Sequence, residues 1–158
     1  MKKGCLIAAG VVLLCVSGIF LVLWDYARIK SWGVGVTQAG VEWIPDDASD
    51  VTFISGDINK IAEFNIDQAL FEAWCESIGK PLSPVAEENK ALVWRANPFL
   101  ERLGAIKGRA HDDEYLAWRY KTFDKGDLFF EERWPNCGGY AIGYDVSAGR
   151  GYYEYAHH

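Results

Sequence analysis

The sequence predicts an α+β protein: one N-terminal transmembrane helix, then a small domain in which a single helix packs on an antiparallel β-sheet. Three observations carry that expectation. Residues 5–24 contain no charged side chain, a stretch near residues 67–79 has helical periodicity, and the last 44 residues break into short β-rich runs. With 158 residues, half of them apolar, the chain has room for one domain and an appendage, and it is too apolar for a disordered chain.

The run from Cys5 to Trp24 reads CLIAAGVVLLCVSGIFLVLW. As a helix rising about 1.5 Å per residue, it spans about 30 Å, the thickness of a bilayer's hydrocarbon core. Trp24 and Tyr26 stand where interfacial aromatic side chains belong. A cleaved signal peptide is the competing reading, but Val16-Ser17-Gly18, the nearest small-residue site, would leave Ile-Phe-Leu-Val-Leu-Trp exposed on the mature end. An uncleaved anchor is therefore expected. Lys2 and Lys3 favour residues 1–4 in the cytoplasm, which places the rest of the chain on the extracytoplasmic side.

All 22 acidic residues follow the apolar run, against 14 of the 16 basic ones, so the part from Asp25 onward carries 14 − 22 = −8. A domain with that charge repels phosphate backbones, which argues against nucleic acid as a partner. Residues 25–44 hold Gly33, Gly35 and Gly40 and read as a juxtamembrane linker, with the domain proper over 45–158.

Within that domain, Val51–Ile54 and Ile58–Ile66 flank Ser55-Gly56-Asp57 and read as a hairpin. Asp67 is placed to cap a helix whose apolar stripe is Leu70, Phe71, Trp74, Cys75 and Ile78. Gly79 and Pro81 end that helix. Ser83-Pro84 suits the start of a short helix, residues 91–96 suit a strand, and residues 99–114 suit a surface connection. Tyr115–Phe123, Leu128–Arg133, Tyr140–Val146 and Gly151–Ala156 then form a C-terminal β-meander.

Candidate chemistry is sparse. His111-Asp112-Asp113-Glu114 is the densest group of potential ligands, but adjacent residues point apart and no metal-binding or nucleotide-binding spacing is present, so neither metal nor cofactor is expected. Cys75 and Cys137 are the only cysteines beyond the anchor. They allow either a disulfide, if the domain is extracytoplasmic, or two separate thiols. Asp145 is placed either to pair with Arg150 across a turn or to accept backbone N–H groups within it.

The aromatic content is the strongest anomaly. Twelve of the last 44 residues are Phe, Trp or Tyr. Trp118, Tyr120, Tyr140, Tyr144, Tyr153 and Tyr155 are the candidate ligand-binding residues, because tyrosine joins a flat apolar ring to a hydroxyl suited to a sugar or a protein surface. Ordinary cross-strand packing explains the same residues without a ligand. The expectation is a single-pass membrane protein whose domain is a non-catalytic binding or structural module, with an envelope protein or a saccharide as partner. The alternatives are a membrane-tethered enzyme using Asp112, Asp113 and Asp145, and an intramembrane assembly subunit.

Overall fold

The β-rich runs pair with one another, and all but two join a single sheet. The computed structural model describes residues 29–37, 40–86, 91–96 and 120–157. The elements are β1 (Ile29–Val36), β2 (Ser49–Gly56), β3 (Asn59–Asn65), α1 (Gln68–Ser77), β4 (Ser83–Pro84), β5 (Ala91–Trp94), β6 (Tyr120–Phe123), β7 (Leu128–Arg133), β8 (Gly139–Asp145) and β9 (Arg150–Ala156). Seven strands form one sheet in the order β1-β2-β3-β9-β8-β7-β4, while β5 and β6 form a separate two-stranded sheet. Every pairing within the two sheets is antiparallel.

Strand alternation gives the large sheet two different faces. Phe53, Ala62, Tyr153, Ile142 and Phe130 are successive cross-strand partners from β2 to β7 and lie on one face. That face packs against α1, burying Phe64, Phe71 and Cys75 in the main core. One residue along, the row Thr52, Glu63, Tyr152, Gly143 and Phe129 lies on the opposite face. There β5 and β6 dock through Val93 and Phe123, which pack with Val85, Ala141 and Tyr152 in a second, smaller core. The ring of Phe123 presses so closely on Gly143 that a Cβ there would lie 2.3 Å from its Cζ.

The helix forms where its caps predict. The Asp67 carboxylate accepts from the N–H groups of Ala69 at 2.9 Å and Leu70 at 3.3 Å. At the other end Lys80 N–H donates to Cys75 O and Gly79 N–H to Glu76 O, a Schellman closure. The buried stripe is narrower than the sequence suggests. Phe71 and Cys75 are buried, whereas Leu70 and Ile78 are exposed.

Four expectations need correction. Among the described residues the protein is mostly antiparallel β-sheet with one short helix, so the expected α+β fold led by a transmembrane helix is not supported. No helix among the described residues is long and apolar enough to cross a membrane, and residues 5–24 lie outside them. Strand outweighs helix because the expected linker and the expected short helix both enter the large sheet. Residues 29–36 form its edge strand β1, where Gly33 lies flat under the Phe53 ring. Ser83-Pro84 pairs with β7 as β4, at an outer edge where the missing proline N–H costs no ladder bond. The expected meander holds for β7, β8 and β9, while β6 leaves it to pair with β5.

Candidate functional site

The main-core face continues beyond α1 into a shelf of half-buried aromatic rings. Tyr140 of β8 and Tyr155 of β9 are direct cross-strand partners, with ring centroids 5.1 Å apart. Trp134 closes one side, edge-on to Tyr140 at 5.8 Å, to Tyr155 at 6.1 Å and to His157 at 6.0 Å. A tight loop holds Trp134 in place: its N–H donates to Gly138 O at 2.9 Å and its indole N–H donates to Glu132 Oε1 at 2.9 Å. Trp43 bounds the other side, 5.5 Å from Tyr153. A cross-strand aromatic pair such as Tyr140 and Tyr155 contributes about 0.2–1 kcal/mol.

Two lysines stand over the shelf. Lys60 Nζ lies 5.8 Å from the Trp43 ring and 6.0 Å from Tyr155, its cross-strand partner. Lys80 Nζ lies 4.4 Å from the Tyr140 ring and 5.4 Å from Phe130, and pairs with Glu132. The hydrogen bond from Lys80, with that from Trp134, pulls the Glu132 carboxyl below its ordinary pKa. Flat apolar rings, cations and an anchored carboxylate therefore share one surface.

The six residues singled out in the sequence do not act together. Tyr140 and Tyr155 belong to the shelf, and Tyr153 supports it from the core, where burial raises its phenol pKa. Tyr144 is a core residue: its hydroxyl donates to Ile66 O at 2.9 Å and its ring packs 5.6 Å from Phe71. Tyr120 lies on β6 beside Trp94, on the other side of the large sheet, and Trp118 lies outside the described residues. Sequence reasoning missed Trp43, Trp134, Lys60 and Lys80, because Trp43 and Trp134 lie in segments read as linker and loop and lysines are unremarkable in sequence. The available signal was an aromatic residue next to each turn, Trp43 before Ile44-Pro45 and Trp134 before Pro135-Asn136.

The opposite face holds the buried carboxylates. Under β5 and β6 lie Glu63, Asp145 and Glu154. Arg95 Nη2 approaches Glu63 at 3.0 Å, and Arg150 Nε lies 3.7 Å from the same oxygen. The Trp94 N–H donates to Glu154 at 2.9 Å, with Arg133 3.6 Å away. Burial raises the Glu154 pKa against the pull of those two donors. Burial also pushes on Asp145, but Lys121, the Ser147 hydroxyl and the Ala148 N–H outweigh it and hold that carboxyl at about 2. Asp145 thus accepts the Ala148 N–H and the Ser147 hydroxyl of the turn, while Arg150 reaches Asp50 at 2.8 Å and Asn65 at 2.6 Å. Of the two arrangements expected for Asp145, the turn contact is the one formed, and Lys121 pairs with its other carboxylate oxygen.

Cys75 and Cys137 are both free thiols. Cys75 is buried in the main core, where desolvation and the Glu72 charge push its pKa up to about 12, and Cys137 sits on the exposed Trp134 loop. The first is an inert packing group. His111, Asp112, Asp113 and Glu114 lie outside the described residues, and among those described no three His, Cys, Asp or Glu side chains gather as a metal site. Compared with protein-family models, curated proteins and solved structures, the chain finds no match.

Proposed function

We propose that the protein is a single-pass membrane protein, anchored through residues 5–24 with its N-terminus in the cytoplasm, and that its extracytoplasmic domain is a non-catalytic module that binds a saccharide. The shelf of Trp43, Tyr140, Tyr155 and Trp134 is the observation that carries this reading. Sugar rings bury their C–H faces on aromatic rings, while their hydroxyls seek charged partners such as Lys60, Lys80 and Glu132 at the rim. The chemistry of the buried carboxylates supports a binding role. Asp145, which the enzyme alternative needs, is held ionised by Lys121 far below neutrality and is a poor proton carrier there. Asp112 and Asp113 lie outside the described residues.

The test is co-sedimentation of the full-length, detergent-solubilised protein with purified peptidoglycan sacculi, alongside Trp134→Ala and Lys60→Ala. The expected result is capture by the unaltered chain and at least about tenfold weaker capture by Trp134→Ala, with the thermal midpoint of Lys60→Ala unmoved. Loss of stability in Trp134→Ala with capture unchanged overturns the shelf as a binding surface. Absence of capture by the unaltered chain, with a cross-linked envelope protein at Trp134 instead, transfers the surface to a protein partner and overturns the saccharide.

A further inference from the structure

The large sheet ends in β1 on one side and the two-residue β4 on the other, and among the described residues β1 pairs with β2 alone. Strand β1 carries the two most exposed large apolar side chains among the described residues, Trp32 at 58% and Val34 at 61% of full exposure. Between them Gly33 is buried under Phe53, where a Cβ would lie 2.7 Å from Cε1. The strand is therefore clamped at Gly33, and Trp32 and Val34 on either side stand on the other face of the sheet, turned away from the main core and exposed at the edge.

An exposed sheet edge usually invites another strand. Here the register slips between Gly33 and Val36, Gly35 has φ of 60°, and its N–H turns inward to the Thr52 hydroxyl at 3.2 Å. A bulged edge of that kind offers no regular ladder, so its side chains are the available surface.

Two further observations identify what meets that surface. From Tyr26 to Val41 the chain holds Arg28 and Lys30 and no acidic residue, inside a region that carries −8 overall. The apolar run ends at Trp24, five residues before Ile29, a span of at most about 18 Å of extended chain. Indole rings favour the headgroup layer, and Arg28 and Lys30, too few for a polybasic anchor, add only a small attraction to anionic headgroups.

We infer that the β1 edge of the sheet rests on the lipid surface, with Trp32 and Val34 in the interfacial layer. This deepens the anchoring reading above and rests on it. The sheet then stands on its β1 edge, and strands about 4.8 Å apart lift the shelf on β9 and β8 clear of the headgroups.

The test uses the full chain reconstituted into phosphatidylcholine vesicles with one quarter phosphatidylglycerol, in which a share of the lipid is brominated high on its acyl chains. Co-flotation with the vesicles and quenching of tryptophan emission are read for the unaltered protein, Trp24→Phe and Trp32→Phe. If Trp24 and Trp32 are the indoles that meet lipid, each substitution removes about half of the quenched emission. Co-flotation with quenching unaffected by Trp32→Phe overturns the seating and leaves the anchor standing. Protein that remains outside the floated vesicles overturns the anchor and the seating with it.

Discussion

The single hydrogen at position 143 sets how closely the two sheets stack. Phe123 lies over Gly143 with its ring 2.3–2.7 Å from where a Cβ would stand, and Tyr152 and Phe129 hold that ring at 5.5 and 5.7 Å. Phe123 is fully buried and has nowhere to retreat. Gly143→Ala is expected to lower stability by about 1–3 kcal/mol, read as a fall in the urea midpoint at unchanged slope. Phe123→Leu in the same chain should cost less than the sum of the two single changes, because the smaller side chain makes room for the methyl group. Strict additivity would mean that the ring does not rest on position 143. Nothing in the sequence marked this glycine, since its partner is 20 positions away on a strand of another sheet and only the fold brings the two together.

For the elements, legibility followed how local the causes are. The helix depends on neighbours in sequence, namely Asp67 at one end and the Gly79 turn at the other, and it was readable. Asp67→Ala is expected to cost about 1 kcal/mol, measured by thermal unfolding, while Asp67→Ser should retain most of the stability because a hydroxyl can accept the same N–H groups. The strand runs of β2, β3, β7, β8 and β9 were legible through alternation and turn residues. Strand β1 was not, because its glycines resemble those of a linker until Phe53 is seen above Gly33. Strand β4 was hidden by a proline that only an outer edge tolerates. The candidate surface was half legible. Tyr140 and Tyr155 were named, but Trp43 and Trp134 reach it from turns whose positions in space no periodicity reports.

Across the whole molecule, buried charge joins the small sheet to the large one. Arg95 beside β5 meets Glu63 of β3, and Lys121 of β6 meets Asp145 of β8. The Asp145 carboxyl titrates at about 2 in the folded chain against an ordinary 3.8. Its folded-state value is depressed, so its contribution is complete above pH 4 or so and is lost as pH falls through about 2. That contribution is about 2 kcal/mol. Urea unfolding of Asp145→Asn and the unaltered protein should therefore differ at pH 7 and converge toward pH 2, and a gap that persists undiminished in acid would contradict the pairing. Glu154 works in the opposite direction. Burial raises its pKa, so the folded state holds its proton more tightly, and its stabilising effect fades as pH rises through the folded value.

The central ladder of the large sheet joins β3 to β9, and 85 residues separate Asn65 from its partner Arg150. Translation delivers β3 long before β9, so the early hairpin waits with a bare inner edge until the late strand arrives. Closing so long a loop makes assembly slow. Under the proposed extracytoplasmic placement the chain would have to stay unfolded while it is threaded through a secretion channel, and a sheet whose middle is completed by a late-made strand delays folding through the order of its parts.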